Sequence, residues 1–365
     1  MDILIFKDHL MNAIQGTQGA VSTKSSLPIL SNLLLEAKDK TLKITATDLE
    51  IAVSCVVEAQ ITEPGSITLP AKRLHDIIRE MWPGEGIKIQ VKKNNSVLIE
   101  GGKSQFKIVG TPKDDFPRIP EFDASQQWVL SQAMLGQMIK LTSFAMSRDE
   151  ARYVLNGILF AFLGKSIRLV ATDGRRLALV EKDLDKPISL IKNIIIPTKT
   201  IQELNRHLGE TGDVGISLKD NQLQFKIGEV VITSRLIEGE FPNYEQVIPK
   251  KTKEHVQINT QEFLSAAKRA SIFTNQESQS IKIDLSKNRM VISKNTPDVG
   301  EVREELAAEY SGGDFTIGFN PSYLIDVLKN IKEETIKFEL IDPEKPGVIR
   351  SNDNYTYIVL PMQLS

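Results

Sequence analysis

Apolar residues recur at helical spacing in six short stretches, with alternating runs between them. In residues 70–81, Leu74, Ile77, Ile78 and Met81 fall at i, i+3, i+4 and i+7, the signature of an amphipathic helix. Residues 197–208 repeat the pattern with Ile201, Leu204 and Leu208, and residues 320–331 with Leu324, Val327, Leu328 and Ile331. A second helix family carries Leu10/Ala13/Ile14, Leu135/Met138/Ile139 and Phe263/Ala266/Ala267. Runs such as Ser96-Val97-Leu98-Ile99 and Val230-Val231-Ile232-Thr233 read as strands. At the start, the apolar run 3–6 stands between Asp2 and Asp8, which predicts a buried strand and no signal peptide.

The pattern is periodic on a larger scale. Leu42-Lys43-Ile44-Thr45-Ala46-Thr47-Asp48 returns as Ile167-Arg168-Leu169-Val170-Ala171-Thr172-Asp173, and Phe116-Pro117 returns as Phe241-Pro242. Both landmarks are separated by 125 residues, which points to a duplication. The helix families extend it to a third copy, although that copy lacks the Ala-Thr-Asp element. Pro- and Lys-containing joints at 117–123 and 242–253 separate the copies. The expected architecture is α+β, with three repeated domains at 1–123, 124–251 and 252–365.

Composition narrows the class. A chain of 365 residues with 41% hydrophobic and 25% charged residues is globular, and no apolar run is long enough to span a bilayer. The single Cys55 allows no internal disulfide and fits the cytoplasm. With 45 basic and 47 acidic residues, any nucleic-acid surface must be a local patch.

Such a patch emerges on the helices. Lys72 (with Arg73 beside it) and Arg79 lie opposite the apolar stripe of their helix, and Lys199 and Arg206 take those places 127 residues on. In the third copy Lys329 corresponds to Arg79, while Ser322 replaces Lys72. Lys140 and Lys268 occupy one position of the other helix family. A lysine on a helix surface is ordinarily just solvated; agreement between copies is what suggests a common basic stripe that holds phosphates without reading sequence. No aromatic residues interleave with these cations, so duplex is the better partner than single strand.

Several longer stretches carry a family resemblance: Leu27-Pro28-Ile29-Leu30-Ser31-Asn32-Leu33-Leu34-Leu35, Tyr153-Val154-Leu155-Asn156-Gly157, Val170 through Ala178 with Asp173-Gly174-Arg175-Arg176, Glu240-Phe241-Pro242-Asn243-Tyr244, and Tyr357-Ile358-Val359-Leu360-Pro361-Met362. In this order and spacing the whole chain resembles the beta subunits of bacterial DNA polymerase III, the sliding-clamp family. The resemblance implies a head-to-tail homodimer, a six-domain ring with helices lining an inner channel and sheets outside. It implies three kinds of partner: duplex DNA, the polymerase catalytic subunit and clamp loader, and other proteins carrying short clamp-binding peptides; no membrane and no cofactor.

Site residues carried over from the resemblance fall into three groups. For DNA they add Lys24, and Arg152 and Tyr153 in the loop 149–153, to the basic positions above. For ring closure they place Phe106 and Ile108, on a strand at 105–109, against Ile272 and Phe273 of the partner protomer, with Lys103 and Lys107 near Glu301, Glu304 and Glu305. For peptide capture they imply a groove of Leu155, Thr172, Gly174, Arg175, Arg176, Leu177, Pro242 and Val247, completed by Val359, Leu360, Pro361 and Met362. A groove lined by Met and Leu suits apolar anchors and many partners. The chain departs from the common pattern at Arg175, Gln246, Gln363 and Ser365, which leaves its peptide preference open.

Two other classes compete. An enzyme is disfavoured because Asp48 and Asp173 each sit in their own repeat and read as turn caps. His9, His75, His207 and His255 have no metal-ligand spacing, and no phosphate loop or nucleophile elbow is present. A three-repeat scaffold that does not encircle DNA would use the same groove but would not need basic residues aligned across copies.

Overall fold

A computed structural model of the chain describes residues 1–22, 26–188, 190–297, 299–351 and 354–364. One order of elements occurs three times, with one extra short strand, β5 (Gln60–Glu63), in the first copy. The first copy runs β1 (Asp2–Phe6), α1 (Lys7–Thr17), β2 (Asn32–Lys38), β3 (Thr41–Thr47), β4 (Ile51–Glu58), β5 (Gln60–Glu63), β6 (Gly65–Pro70), α2 (Ala71–Glu80), β7 (Gly86–Val91), β8 (Ser96–Gly101) and β9 (Ser104–Val109). The second runs β10 (Trp128–Ser131), α3 (Gln132–Thr142), β11 (Gly157–Leu163), β12 (Ser166–Thr172), β13 (Arg176–Asp183), β14 (Ile191–Pro197), α4 (Thr198–His207), β15 (Asp213–Lys219), β16 (Gln222–Ile227) and β17 (Val230–Arg235). The third runs β18 (Glu254–Asn259), α5 (Thr260–Ser271), β19 (Ile281–Ser286), β20 (Arg289–Thr296), β21 (Gly300–Glu309), β22 (Phe315–Phe319), α6 (Pro321–Leu328), β23 (Thr335–Leu340), β24 (Gly347–Ser351) and β25 (Tyr355–Val359). The third copy, which lacks the Ala-Thr-Asp landmark, therefore keeps the complete plan.

All six expected helices form, and their apolar positions are buried: Leu74 and Ile78 in α2, Ile201 and Leu204 in α4, Leu324, Val327 and Leu328 in α6. The helix expected at 320–331 is shorter. Asn320 stays outside as the cap, accepting from the Ser322 amide, and Ile331 is reached through a turn closed by its amide on Val327.

The chain packs as two compact units, Met1–Gly136 with Gln202–Leu236, and Gln137–Ile201 with Ile237–Ser365. These cut across the repeats because sheets are shared between copies. In the first unit an eight-stranded sheet runs β10-β15-β16-β17-β4-β3-β2-β6, beside a five-stranded sheet β5-β1-β7-β8-β9. The second unit holds a twelve-strand order, β14-β11-β12-β13-β25-β24-β23-β18-β21-β20-β19-β22. The two seams between copies, β4–β17 and β13–β25, are both antiparallel and share one register. Ile51 faces Ser234 and Cys55 faces Val230; 125 residues further along both strands, Arg176 faces Val359 and Val180 faces Tyr355.

The duplicated Thr-Asp turn repeats bond for bond. Thr47 Oγ1 donates to the Ile51 carbonyl and accepts from the Leu49 amide, while Asp48 accepts from the amides of Glu50 and Ile51. Thr172 and Asp173 do the same for Arg176, Gly174 and Arg175. Both aspartates are turn caps, as expected from the sequence. The third residue of the turn has positive φ in both copies, 79° at Leu49 and 85° at Gly174. A leucine in that conformation suffers Cβ crowding that glycine avoids. Leu49→Gly is therefore expected to raise stability by about 0.5–1 kcal/mol, read as a higher urea midpoint; a lower midpoint would mean that the exposed leucine packs more than its burial indicates.

Candidate functional site

The seam registers make it possible to compare the same positions on the outer sheet face of each copy, the face turned away from the core. In the second copy these positions are Leu159, Val170, Leu177, Leu179, Ile195 and Ile358, an apolar cluster against which Val154, Ile237, Phe241, Tyr244 and Ile248 pack. In the first copy the paired positions are Leu34, Thr45, Ala52, Ser54, Thr68 and Thr233. That face closes with hydrogen bonds: Asn32 to Thr68 at 3.2 Å, Thr68 to the Thr111 carbonyl at 3.0 Å, and Gln224 to Thr233 at 3.2 Å. In the third copy the face carries Lys282, Ser293 and Arg303. One backbone plan thus presents a neutral polar, an apolar and a charged face, and only the apolar one is suited to apolar peptide anchors.

The groove residues expected from the sequence gather at the rim of the apolar face. Arg175, Pro242, Val247 (52% exposed) and Leu360 (42% exposed) are open to solvent, and Pro361 and Met362 are half-buried. The Leu360 amide donates to the Arg175 carbonyl at 2.9 Å and the Met362 amide to Gly318 at 2.8 Å, which lays the tail along the sheet. A Cβ on Gly174 would lie 2.7 Å from the Arg152 guanidinium, which itself donates to the Asp173 carbonyl. Leu155 and Leu177 are buried and support the floor.

Two expected groove residues have other work. Val359 is fully buried as the strand partner of Arg176, so it shapes the site from beneath. The Arg176 guanidinium is occupied inside the chain: Nε bonds Asp173 at 3.0 Å, Nη1 bonds Asp326 at 2.6 Å, and Nη2 donates to the Phe144 carbonyl at 2.6 Å. The rings of Tyr323 and Phe144 lie 4.6 and 5.6 Å from its charge. Burial opposes that charge, but the Asp326 hydrogen bond and the surrounding groups outweigh it and raise the Arg176 pKa. The Tyr357 hydroxyl alongside is pushed up by the same burial. Arg176 is a structural tie, and Arg175 is the exposed cation of the pair.

Sequence reasoning named Pro242 and Val247 in the segment that covers the apolar cluster but missed what ties that segment down. Arg168 holds it, donating to Tyr244 Oη and to Glu245, both at 2.9 Å, and to Glu181 at 2.8 Å. The signal in the sequence was the alternation Arg168/Val170/Thr172, which puts an arginine in line with the outer face. Burial raises the Glu181 pKa, but hydrogen bonds from Ser166 and Arg168 win and leave it below its ordinary value. A depressed carboxylate pKa contributes stability that is complete above the unfolded value, about 4.3, and is lost as pH falls through the lower folded one. Glu181→Gln should therefore flatten the acid side of a urea-midpoint-against-pH curve; an unchanged acid limb would remove this ion pair from the account.

Of the expected DNA residues, Lys72, Arg73, Arg79, Lys140, Arg152, Lys268 and Lys329 are exposed, and Tyr153 is 57% exposed. Arg79 shares its charge with Asp76 and Glu80. Lys199 is half-buried, and Arg206 turns to the Gln15 carbonyl at the end of α1 and to Glu203. Arg206 is nonetheless exposed, as the helical wheel implied, whereas the half-burial of Lys199 depends on what packs beside α4 and helix geometry cannot register it. Lys24 lies outside the described residues. Of the expected ring-closing residues, Ile272 is 71% exposed, Phe106 and Phe273 are half-buried, and Ile108 is largely buried within its own copy. Lys103, Lys107, Glu301 and Glu305 are exposed. Glu304 is held by Arg269 at 2.6 and 2.7 Å.

Three copies of one α+β unit, fused through shared sheets and with the second copy presenting an apolar outer face, define a three-domain clamp. The chain belongs to the DNA polymerase III beta subunit family: residues 1–120 match its N-terminal domain, 129–243 its central domain and 245–363 its C-terminal domain. It is 38% identical over 368 residues to the beta sliding clamp of Pseudomonas aeruginosa and 34% identical to that of Escherichia coli K12, each alignment covering all of both chains. Solved sliding clamps from Bacillus subtilis (28% identical, TM-score 0.96) and Pseudomonas aeruginosa (37%, 0.94) match it over 100% of each chain.

Proposed function

We propose that this chain is a DNA sliding clamp: two copies close head to tail around duplex DNA and tether the replicative polymerase and other partners through peptides bound at the apolar face. It performs no chemistry; its contribution is topological. The division into domains at 1–123, 124–251 and 252–365 follows the repeats, with each seam a shared sheet.

The observation that carries the ring is the seam register. β9 is the counterpart of β17 and β25, and β21 of β4 and β13, yet β9 and the first part of β21 have no seam partner among the described residues. Unpaired edges of this kind are a liability that pairing with a second copy removes. Closure of such a heterologous contact on rotation yields a ring. The internal registers also say which residues meet. Ala52 faces Thr233 and Leu177 faces Ile358. The matching positions are Glu301, two residues before the Arg303 that pairs with Ser293, and Lys107, which pairs with Leu98 as Thr233 pairs with Gln224. Glu301 then faces Lys107 of a second protomer, and the antiparallel step brings Glu305 opposite Lys103. Both pairs are of opposite charge, although charge played no part in deriving the register. Exposed pairs of this kind add little affinity each and mainly exclude wrong pairings.

Lys107→Glu should weaken the dimer roughly tenfold, and adding Glu301→Lys should restore it, read as solution mass across a dilution series. Failure of the swap to rescue would place the closing register elsewhere.

Inside the ring, the exposed lysines Lys72, Lys140 and Lys268 supply phosphate contacts that ignore sequence. Replacing all three by Glu should weaken binding to duplex DNA and lower its salt slope by about 0.9 for each phosphate left without its cation. Unchanged retention on circular DNA and an unchanged slope would favour a scaffold that does not encircle DNA.

A further inference from the structure

A concavity of 670 Å³ opens beside β1, lined among others by Leu4, Phe6, His9, Glu58 and Ile61. The third copy builds the same concavity at 460 Å³, lined by Gln257, Asn259, Asn288, Glu309 and Thr335. The correspondence follows from position and pairing. Phe6 and Asn259 immediately precede α1 and α5, and they pair with Gly86 and Thr335; Leu4 and Gln257 stand two residues earlier, paired with Gln60 and Glu309. What is polar in the third copy has become apolar in the first.

The exchange works against the local structure. The residue before the first helix of a copy is a helix cap: Asn259 accepts from the amides of Gln261 and Glu262, and Ser131 accepts from Met134. Phe6 caps nothing and is 60% exposed, its ring edge-on to His9 at a centroid distance of 6.1 Å. Leu4 is 41% exposed beside it. Gly86 stands where the other copies have Asp213 and Thr335, and a Cβ there would meet Leu4 at 3.1 Å. Loss of a cap, an exposed aromatic and a glycine that makes room for a leucine all serve one apolar hollow, and broken local rules of this kind mark binding surfaces.

We propose that this hollow is a second peptide-docking site, taking a short partner segment with a bulky apolar anchor next to a basic residue. The inference rests on the clamp reading. The copies already show the same device at the outer sheet face, where one repeat turns a polar position set apolar. The volume suits one or two side chains. Asp39 and Glu58 stand against Lys40 on the lining, a net negative charge that favours a cation beside the anchor. A second copy of the chain is already assigned, by the seam register, to β9 and β21.

The test is a titration of the full chain, methyl-labelled at Ile and Leu, with acetyl-Leu-Phe-Lys-amide. Saturable shifts of the Leu4 and Ile61 methyls are expected. They should weaken at least roughly tenfold in Phe6→Ser, which installs the cap of the second copy and so keeps the fold, and in Leu4→Gln. Acetyl-Leu-Phe-Glu-amide should bind less well. Absence of shifts at about millimolar peptide, or equal shifts in Phe6→Ser, would overturn the proposal, as would shifts that follow protein concentration alone, which would make a second copy the occupant. Shifts at Leu177 and Leu360 without shifts at Leu4 would sink this site and leave the clamp reading standing; a failed dimer test would sink the ring without touching the Leu4 result.

Discussion

Backbone pairing across the seams is the constraint from which the rest of the molecule follows. A strand of one copy completes the sheet of the next, at β4–β17 and again at β13–β25, and the register is identical to the residue. Because side chains alternate across a sheet, a slip of one residue would exchange every core position for an outer one. The seam therefore decides at once which residues are core, which face outward, and which edges are left unpaired among the described residues. It also explains why the compact units do not coincide with the repeats: the hydrogen bonds that define compactness run across the boundaries of the sequence units.

With the backbone held constant by that register, the copies were free to diverge on their outer faces. The first face is sealed by Thr, Asn and Gln hydrogen bonds, the third carries Lys and Arg, and the second is apolar under a segment tied down by Arg168. Buried hydroxyls bonded to side-chain amides and a backbone carbonyl offer nothing to an apolar anchor, whereas an apolar floor with an exposed rim does. The buried Arg176 network is a different kind of element. Truncating it would leave Asp173 and Asp326 without their cation, so its role is to hold the second and third copies' groups in one arrangement.

Much of this was legible in the chain. The 125-residue offset, the six amphipathic helices and the turn-capping role of Asp48 and Asp173 follow from local pattern, because helix periodicity and Asx-turn chemistry depend on near neighbours. The resemblance to the clamp family named the residues that border the apolar face. It could not separate Arg175 from Arg176, adjacent residues of the same type, one exposed and one held by three partners as far along the chain as Asp326. Nor could it tell that Lys199 is half-buried, that Arg206 turns to the Gln15 carbonyl, that Glu304 is held by Arg269, or that Phe6 sits where its sister copies place a cap.

The sequence by itself determined the repeat, the element types, the family and the set of residues from which a site could be built, since each depends on spacing or composition within one stretch. Tertiary structure alone decided which copy's outer face is apolar, which cations are held inside the chain and which strand edges stay unpaired among the described residues. Those depend on strand pairings between residues more than a hundred positions apart, and no local pattern carries that information.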